Sequence, residues 1–215
     1  MAMDLTGINN YNEYYTNHYF SSIFEENAAE TLSAWRAAAK EGDSARTPWS
    51  LLRDCGKLYS GIHDRYLRAR SETQVMPMIK DLADSLLDAL GYGDFAPANV
   101  NVSDAFSIPV YHEINKSNGA PLLWILLGNS QDKESDILHG YAFDGDAFDE
   151  EVPRMPMITD MENEELATKI LFALDEPPRW LIFISANSVT LIDRNKWSEK
   201  RYLQFDFDEI FVNCL

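Results

Sequence analysis

Apolar and polar positions along the chain follow one rhythm up to about Gly93 and another after it. Between residues 10 and 40, Phe20, Phe24, Ala28, Leu32, Trp35 and Ala39 recur at helical spacing. That apolar stripe predicts one long helix or two abutting ones. Glu41-Gly42-Asp43-Ser44 breaks the pattern. Thr47-Pro48 then predicts a new start, a capping hydroxyl followed by proline where a missing N–H costs nothing. From Trp49 through Leu52, Cys55, Tyr59, Ile62 and Tyr66 the helical period holds. Ser71-Glu72-Thr73-Gln74 has the form of a capping box, and Val75, Ile79, Leu82, Leu86 and Leu90 line a third helix stopped by Gly91. Pro77 fits that helix only if the helix starts close to it.

Beyond Gly93 the spacing suits strands. Residues 92–95 predict a short first strand and residues 96–107 a loop. Residues 108–114 and 121–127 are rich in Val, Ile, Tyr, Leu and Trp, and Asn115-Lys116-Ser117-Asn118-Gly119 joins them. An Asn-Gly pair between such runs predicts a hairpin, because the turn needs residues that tolerate positive φ. Leu122-Leu123-Trp124-Ile125-Leu126-Leu127 does not alternate, which predicts a central strand buried on both faces under helices. Residues 131–160 read as an acidic loop. Thr159-Asp160-Met161-Glu162 predicts the cap of a helix over 161–174, faced by Leu166, Ile170, Leu171 and Leu174 and ended by Asp175-Glu176-Pro177-Pro178. Residues 179–185 and 188–193 form a second predicted hairpin, and residues 202–207 alternate like an edge strand. The expected class is α+β. A helical region, residues 1–91, packs on a mixed β-sheet with a crossover helix, residues 92–215, and the two form one compact domain.

Charge changes what this scaffold is expected to do. The chain carries 18 Lys and Arg against 35 Asp and Glu, a formal net charge of −17. Phosphate binding needs a cationic face, so DNA is expected to bind weakly if at all. The excess acid serves solubility or forms a face for a basic partner. No apolar run approaches the ~18 residues that span a bilayer. Met1-Ala2-Met3-Asp4-Leu5 lacks the basic flank and apolar stretch of a signal peptide, so a cytoplasmic protein with no membrane partner is expected. Cys55 and Cys214 make neither a disulfide framework nor a metal motif.

Candidate chemistry is sparse. Asp144-Gly145-Asp146-Ala147-Phe148-Asp149 lacks the spacing and closing Glu of a calcium loop and reads as a solvated acidic loop. His18, His63, His112 and His139 show no ligand spacing. No Gly-x-Ser-x-Gly or phosphate-binding loop occurs, and no cofactor or metal is expected. Arg65, Arg68 and Arg70 suit a helix end. Arg194, Lys196, Lys200 and Arg201 form the better basic cluster, a weak nucleic-acid-binding candidate for which a surface strand-edge role is favoured. Trp124, Trp180 and Trp197 have apolar neighbours and read as core or interdomain aromatics rather than platforms for bases.

The order helix, strand, hairpin, helix, strand is that of the PD-(D/E)XK nuclease core. Asn118-Gly119-Ala120-Pro121-Leu122 and Arg179-Trp180-Leu181-Ile182-Phe183-Ile184-Ser185 through Asp193 resemble the N-terminal domains of restriction subunits. In that frame the catalytic Glu and Lys fall near Leu126 and Gly128, and the metal-binding Asp near Tyr111. Leucine and glycine can neither hold Mg²⁺ nor position a nucleophile, so the resemblance implies a degenerate core. Asp104 and Glu113 are the neighbouring carboxylates from which a shifted site would have to be built. Tyr19-Phe20-Ser21-Ser22-Ile23-Phe24, Thr47-Pro48-Trp49, Ala173-Leu174-Asp175-Glu176-Pro177-Pro178-Arg179-Trp180 and Asp193-Arg194-Asn195-Lys196-Trp197 are similar to the N-terminal region of Eco57I-like DNA methyltransferases of restriction-modification and phage-defence systems. Their glycine-rich cofactor loop and Asn-Pro-Pro-Tyr-type motif are absent, and the larger proteins continue past the position of Leu215. The resemblance implies a module without catalytic activity of its own. It would position or assemble the enzyme on DNA, beside the methyltransferase and target-recognition domains of the same system. The competing expectation is a stand-alone acidic interaction protein, or DNA mimic, that occupies a basic cleft.

Overall fold

A computed structural model describes residues 5–40, 47–92, 98–101, 107–129, 136–142 and 161–213. In chain order its elements are β1 (Ile8–Tyr11), α1 (Phe24–Lys40, entered through a wide π-type turn at Tyr19–Ile23), α2 (Pro48–Arg68) and α3 (Glu72–Ala89). Then come β2 (Ala98–Asn101), β3 (Ser107–Val110), β4 (His112–Asn115), β5 (Pro121–Asn129) and β6 (Tyr141–Ala142). The chain continues with α4 (Asn163–Lys169), β7 (Trp180–Ile184), β8 (Ser188–Asp193), α5 (Arg194–Trp197) and β9 (Tyr202–Asp206). A second π-type turn spans Asp208–Asn213.

The central sheet runs β1-β9-β8-β7-β5-β4, with the short β6 added against the end of β5. Among the described strands only the β5–β7 pair is parallel, with Leu123 opposite Trp180 through Leu127 opposite Ile184. A parallel pair needs a crossover, and α4 lies in it. The mixed sheet, the crossover helix and the predicted central strand are therefore present. From Leu123 to Gly128 every residue of β5 is buried. Leu123, Ile125 and Leu127 join one core with Tyr59 of α2 and with Ile79, Leu82 and Leu86 of α3. Trp124 and Leu126 join a second core on the opposite face, with Leu166, Leu171 and Trp197. Burial on both faces, worth roughly 1.5–3 kcal/mol per large side chain, is what makes a non-alternating run a strand here.

The Thr47 and Gly91 helix signals are found as expected, and the Ser71 capping box only in part. Thr47 caps α2, its Oγ1 accepting from the Ser50 N–H at 3.3 Å. At α3 the Gln74 side chain reaches back to the Arg70 N–H at 3.0 Å, while Ser71 makes no side-chain cap. The Gly91 N–H bonds to the Asp88 carbonyl and the Tyr92 N–H to the Leu87 carbonyl, a Schellman stop with Gly91 at φ 80°. Pro77 lies inside α3, where it removes one helical hydrogen bond.

Several expectations need correction. Residues 10–40 are not helical throughout: Ile8–Tyr11 pairs with β9, and Asn12 and Glu13 turn the chain at φ 49° and 57°. β1 takes the edge, so β9 is an inner strand. The run 108–114 divides at Tyr111. β3 pairs with β2, a strand where a loop was expected, and only β4 joins the main sheet. The reason is packing: Ile108 and Val110 enter one core while Tyr111 enters the other. Tyr92 closes the α3 stop instead of opening a strand, and residues 93–97 lie outside the described residues. The crossover helix is shorter than predicted. It starts after Glu162 and gives way at Ile170 to a 3₁₀ turn, Leu171–Ala173, while Thr159 and Asp160 lie outside the described residues. Among the N-terminal helices, α2 and α3 pack together and α3 lies on the sheet, but α1 buries none of its residues.

Candidate functional site

The frame places its catalytic positions near the C-terminal half of β5. Leu126 is wholly buried in the second core, beside Leu166 and Phe183. Two residues on, the segment 137–141 folds over the strand end, closed by the pairing of Gly128 with Ala142 and of Asn129 with Tyr141. Asp136 starts this segment, accepting from the Leu138 N–H at 3.0 Å and from the Tyr202 hydroxyl at 3.1 Å. Asn163, fully buried at the start of α4, ties it down: its Nδ2 donates to the Ile137 carbonyl at 2.9 Å and its backbone N–H to the Gly140 carbonyl at 2.8 Å.

The consequence at Gly128 is steric. A Cβ there would sit 2.8 Å from the Tyr141 carbonyl oxygen, and 3.2 Å from both Asn163 Nδ2 and Ile137 Cδ1. No side chain fits, least of all a lysine. The glycine is required by the close approach of β6. Asn163 is a residue that sequence reading missed, since one asparagine after an acidic run gives no signal of burial. Its Oδ1 has no hydrogen-bond partner among the described residues.

The neighbouring polar groups are already engaged. Glu113, paired across the hairpin with Trp124, accepts from its indole Nε1 at 2.9 Å. Tyr111 is buried and donates its hydroxyl to Asp84 of α3; burial first, then that carboxylate, push the phenol's pKa up. Asp104 lies outside the described residues, as do Asp144, Asp146 and Asp149 of the calcium-like stretch. No group of three His, Cys, Asp or Glu among the described residues is arranged to hold a metal ion.

Compared with known protein families, curated proteins and solved structures, the chain matches none.

Two of the four cations of the basic cluster are ion-paired within the chain, and a third is held by a carbonyl and aromatic rings. Lys196 donates to the Tyr14 carbonyl at 2.6 Å and lies 4.1 Å from the Tyr14 ring centre. Lys200 pairs with Glu164 at 2.8 Å and covers the Trp197 ring at 4.1 Å, and Arg201 pairs with Glu199 at 2.6 Å. Arg194 starts α5 and is exposed. These cations lie beside β8 and β9 and mainly fasten the N-terminal segment, α4 and α5 to the sheet. The histidines are dispersed: His18 is exposed, His112 is buried with its pKa lowered by that burial, His139 faces Glu162, and His63 lies 3.1 Å from the Tyr59 hydroxyl. Of the three tryptophans read as core aromatics, Trp124 and Trp197 lie in one core, and Trp180, half-buried, packs against the other.

Asp193, the acid that closes β8, has a structural task. Arg179 grips it with two hydrogen bonds of 2.5 and 2.8 Å, and it caps α5 by accepting from the Asn195 N–H at 2.9 Å. Burial alone would raise its pKa; the Arg179 and Asn195 hydrogen bonds and the charges of Arg179 and Lys196 bring it below the usual carboxylate range.

An open space lies on the other face. A cavity of about 480 Å³ lies between α2, α3 and the sheet, walled by apolar side chains including Trp49, Leu90, Leu191, Phe205 and Phe211. Sequence reading placed these residues on separate elements and had no means of bringing them together.

Proposed function

We propose that this chain is a non-catalytic module with a degenerate restriction-endonuclease-like core, which positions or assembles a DNA methyltransferase of a restriction-modification system. The observation that carries the reading is Gly128. The position where a nuclease would extend its lysine has no room for a side chain, and the position of its glutamate, Leu126, is buried among hydrocarbon. A core with the element order of a nuclease and packing of this kind at the catalytic positions is a scaffold rather than an enzyme. The hairpin β4–β5, the crossover through α4 and the hairpin β7–β8 support the frame in order and direction. The ion pairs of Lys200 with Glu164 and of Arg201 with Glu199 support a role that does not depend on strong DNA contact by this chain.

On this reading the module works in the cytoplasm, beside the methyltransferase and target-recognition domains that hold the chemistry. No helix among the described residues is long and apolar enough to cross a membrane. The test has two parts. Supercoiled plasmid incubated with the chain and Mg²⁺ or Mn²⁺ should stay intact, and a methyltransferase encoded beside this chain should co-purify with it in fixed ratio. Metal-dependent cleavage that Glu113→Ala abolishes would overturn the non-catalytic reading, and failure to associate with that methyltransferase would overturn the assembly role.

A further inference from the structure

A cluster of titratable side chains joins α2 to the turn Asp208–Asn213, across the sheet from Leu126. Tyr59 of α2 is buried against that turn, its ring centre 5.7 Å from those of Phe207 and Phe211. Its hydroxyl donates to Asp208 Oδ1 at 2.6 Å. His63, one helical turn on, brings Nδ1 to 3.1 Å from that hydroxyl and 3.3 Å from the same carboxylate oxygen. Burial first, then the Asp208 hydrogen bond, push the Tyr59 phenol up, so its proton stays in place at any working pH. The other charged groups nearby are already engaged. Asp206, which acts on the Tyr59 hydroxyl from the end of β9, accepts from the Glu209 N–H at 3.1 Å. Asp64, next along α2, faces Arg68 at 3.9 Å.

This geometry decides where the protons sit. The Tyr59 hydroxyl has one proton, and the shorter contact assigns it to Asp208. The phenol and carboxylate oxygens that face His63 are then both acceptors. A bare Nδ1 would set its lone pair against theirs, so Nδ1 carries a hydrogen. Neutral imidazole meets that demand in only one of its two tautomers. Imidazolium always meets it, and it adds a full charge beside Asp208, which makes the stronger, charge-assisted bond.

We propose that His63 is a proton-operated latch, whose charged form holds the turn Asp208–Asn213 on α2 through Asp208 and whose neutral form holds it less firmly. The turn contributes Ile210 and Phe211 to the wall of the apolar cavity, so the same proton governs how firmly that wall is shut. Histidine is the side chain whose charge ordinarily changes between about pH 5 and 8. A cation that gains a carboxylate partner on folding contributes its hold at the acid end of that range and loses it as the pH rises. The side chains of His63 and Asp208 are 27% and 50% exposed, so the effect is local and a few-fold in size, not a global unfolding. This inference does not depend on the methyltransferase reading.

Amide hydrogen exchange of the full 215-residue chain, read as protection factors between about pH 5.5 and about pH 8, tests it. Protection across the turn Asp208–Asn213 should fall about threefold over that range, while protection of β5 and β7 stays level. His63→Gln and Asp208→Asn, both at partly exposed side chains, should each give a flat profile with unchanged circular dichroism. Tyr59→Phe keeps the buried ring and removes the hydroxyl. It should lower protection of the turn at every pH and leave the slope in place, because His63 still faces Asp208. A flat profile in the wild type, a slope of the opposite sign, or a slope that survives in His63→Gln would overturn the proposal.

Discussion

The two faces of the central sheet are built from alternate residues of the same strands, yet one is filled and the other is left open. On the side of Trp124 and Leu126, α4, α5, the 3₁₀ turns and β3 close over the sheet, and the loop at Gly128 leaves no room even for a Cβ. On the side of Leu123 and Ile125, α2 and α3 cover the centre, but Leu191 and Phe205 on β8 and β9 border a cavity of about 480 Å³. The difference shows where this fold can act. The positions that the proposed nuclease frame assigns to Glu and Lys, Leu126 and Gly128, lie on the filled face, and the apolar cavity lies on the other.

The sharpest way to break that comparison is to load the filled face. Leu126→Ala should cost about 3–5 kcal/mol in urea unfolding, because the cavity it leaves has no room to collapse. A loss under about 1 kcal/mol would mean that this face is as loose as the other. Asp193→Ala should cost less, about 2–3 kcal/mol, since it strands Arg179 and uncaps α5 while Arg179 itself stays one-third exposed.

The same pair predicts a pH signature. The folded pKa of Asp193 is depressed, so its contribution is fully present above the ordinary carboxylate value of about 4 and is lost as pH falls through the folded value. Asp193→Asn should therefore narrow its stability gap to the wild type as the pH drops below about 4. A gap that widens there would reverse the assignment.

Gly128→Ala should cost about 1–3 kcal/mol by overpacking against the Tyr141 carbonyl. At the small end, Trp35→Ala on α1 should change the stability of the chain by less than about 0.5 kcal/mol, because α1 places no residue in either core. A larger loss would show α1 packed on its own chain.

Much of the filled architecture was legible beforehand because the signals were local and agreed with one another. Thr47-Pro48, Gly91 and the Asn118-Gly119 turn each act through a few neighbouring backbone groups, and each is where it was expected. The non-alternating run ending at Leu127 could be read because burial on both faces removes the polar phase of a strand. What could not be read depended on partners distant in sequence. Ile8 and Asn10 become a strand only because β9 offers an edge some 195 residues away. The break at Tyr111 follows from two cores competing for adjacent side chains. The stripe on α1 was legible as an amphipathic helix, but periodicity reveals that a face is apolar and never what covers it. At the candidate site the absence of Glu and Lys was plain, whereas the reason for Gly128, a carbonyl from a segment that pairs back onto β5, was not.

The account turns on the face at Leu126 and Gly128 being a packed core rather than a shifted metal site, and Mn²⁺ tests that most directly. Crystals of the chain soaked in Mn²⁺ should show no ordered ion near this end of β5, with Glu113 still accepting the Trp124 indole hydrogen bond and Gly128 still closed under Tyr141. An anomalous peak between Asp104, Glu113 and the backbone of residues 126–128, lost in Glu113→Gln, would contradict the account and restore a catalytic site to this fold.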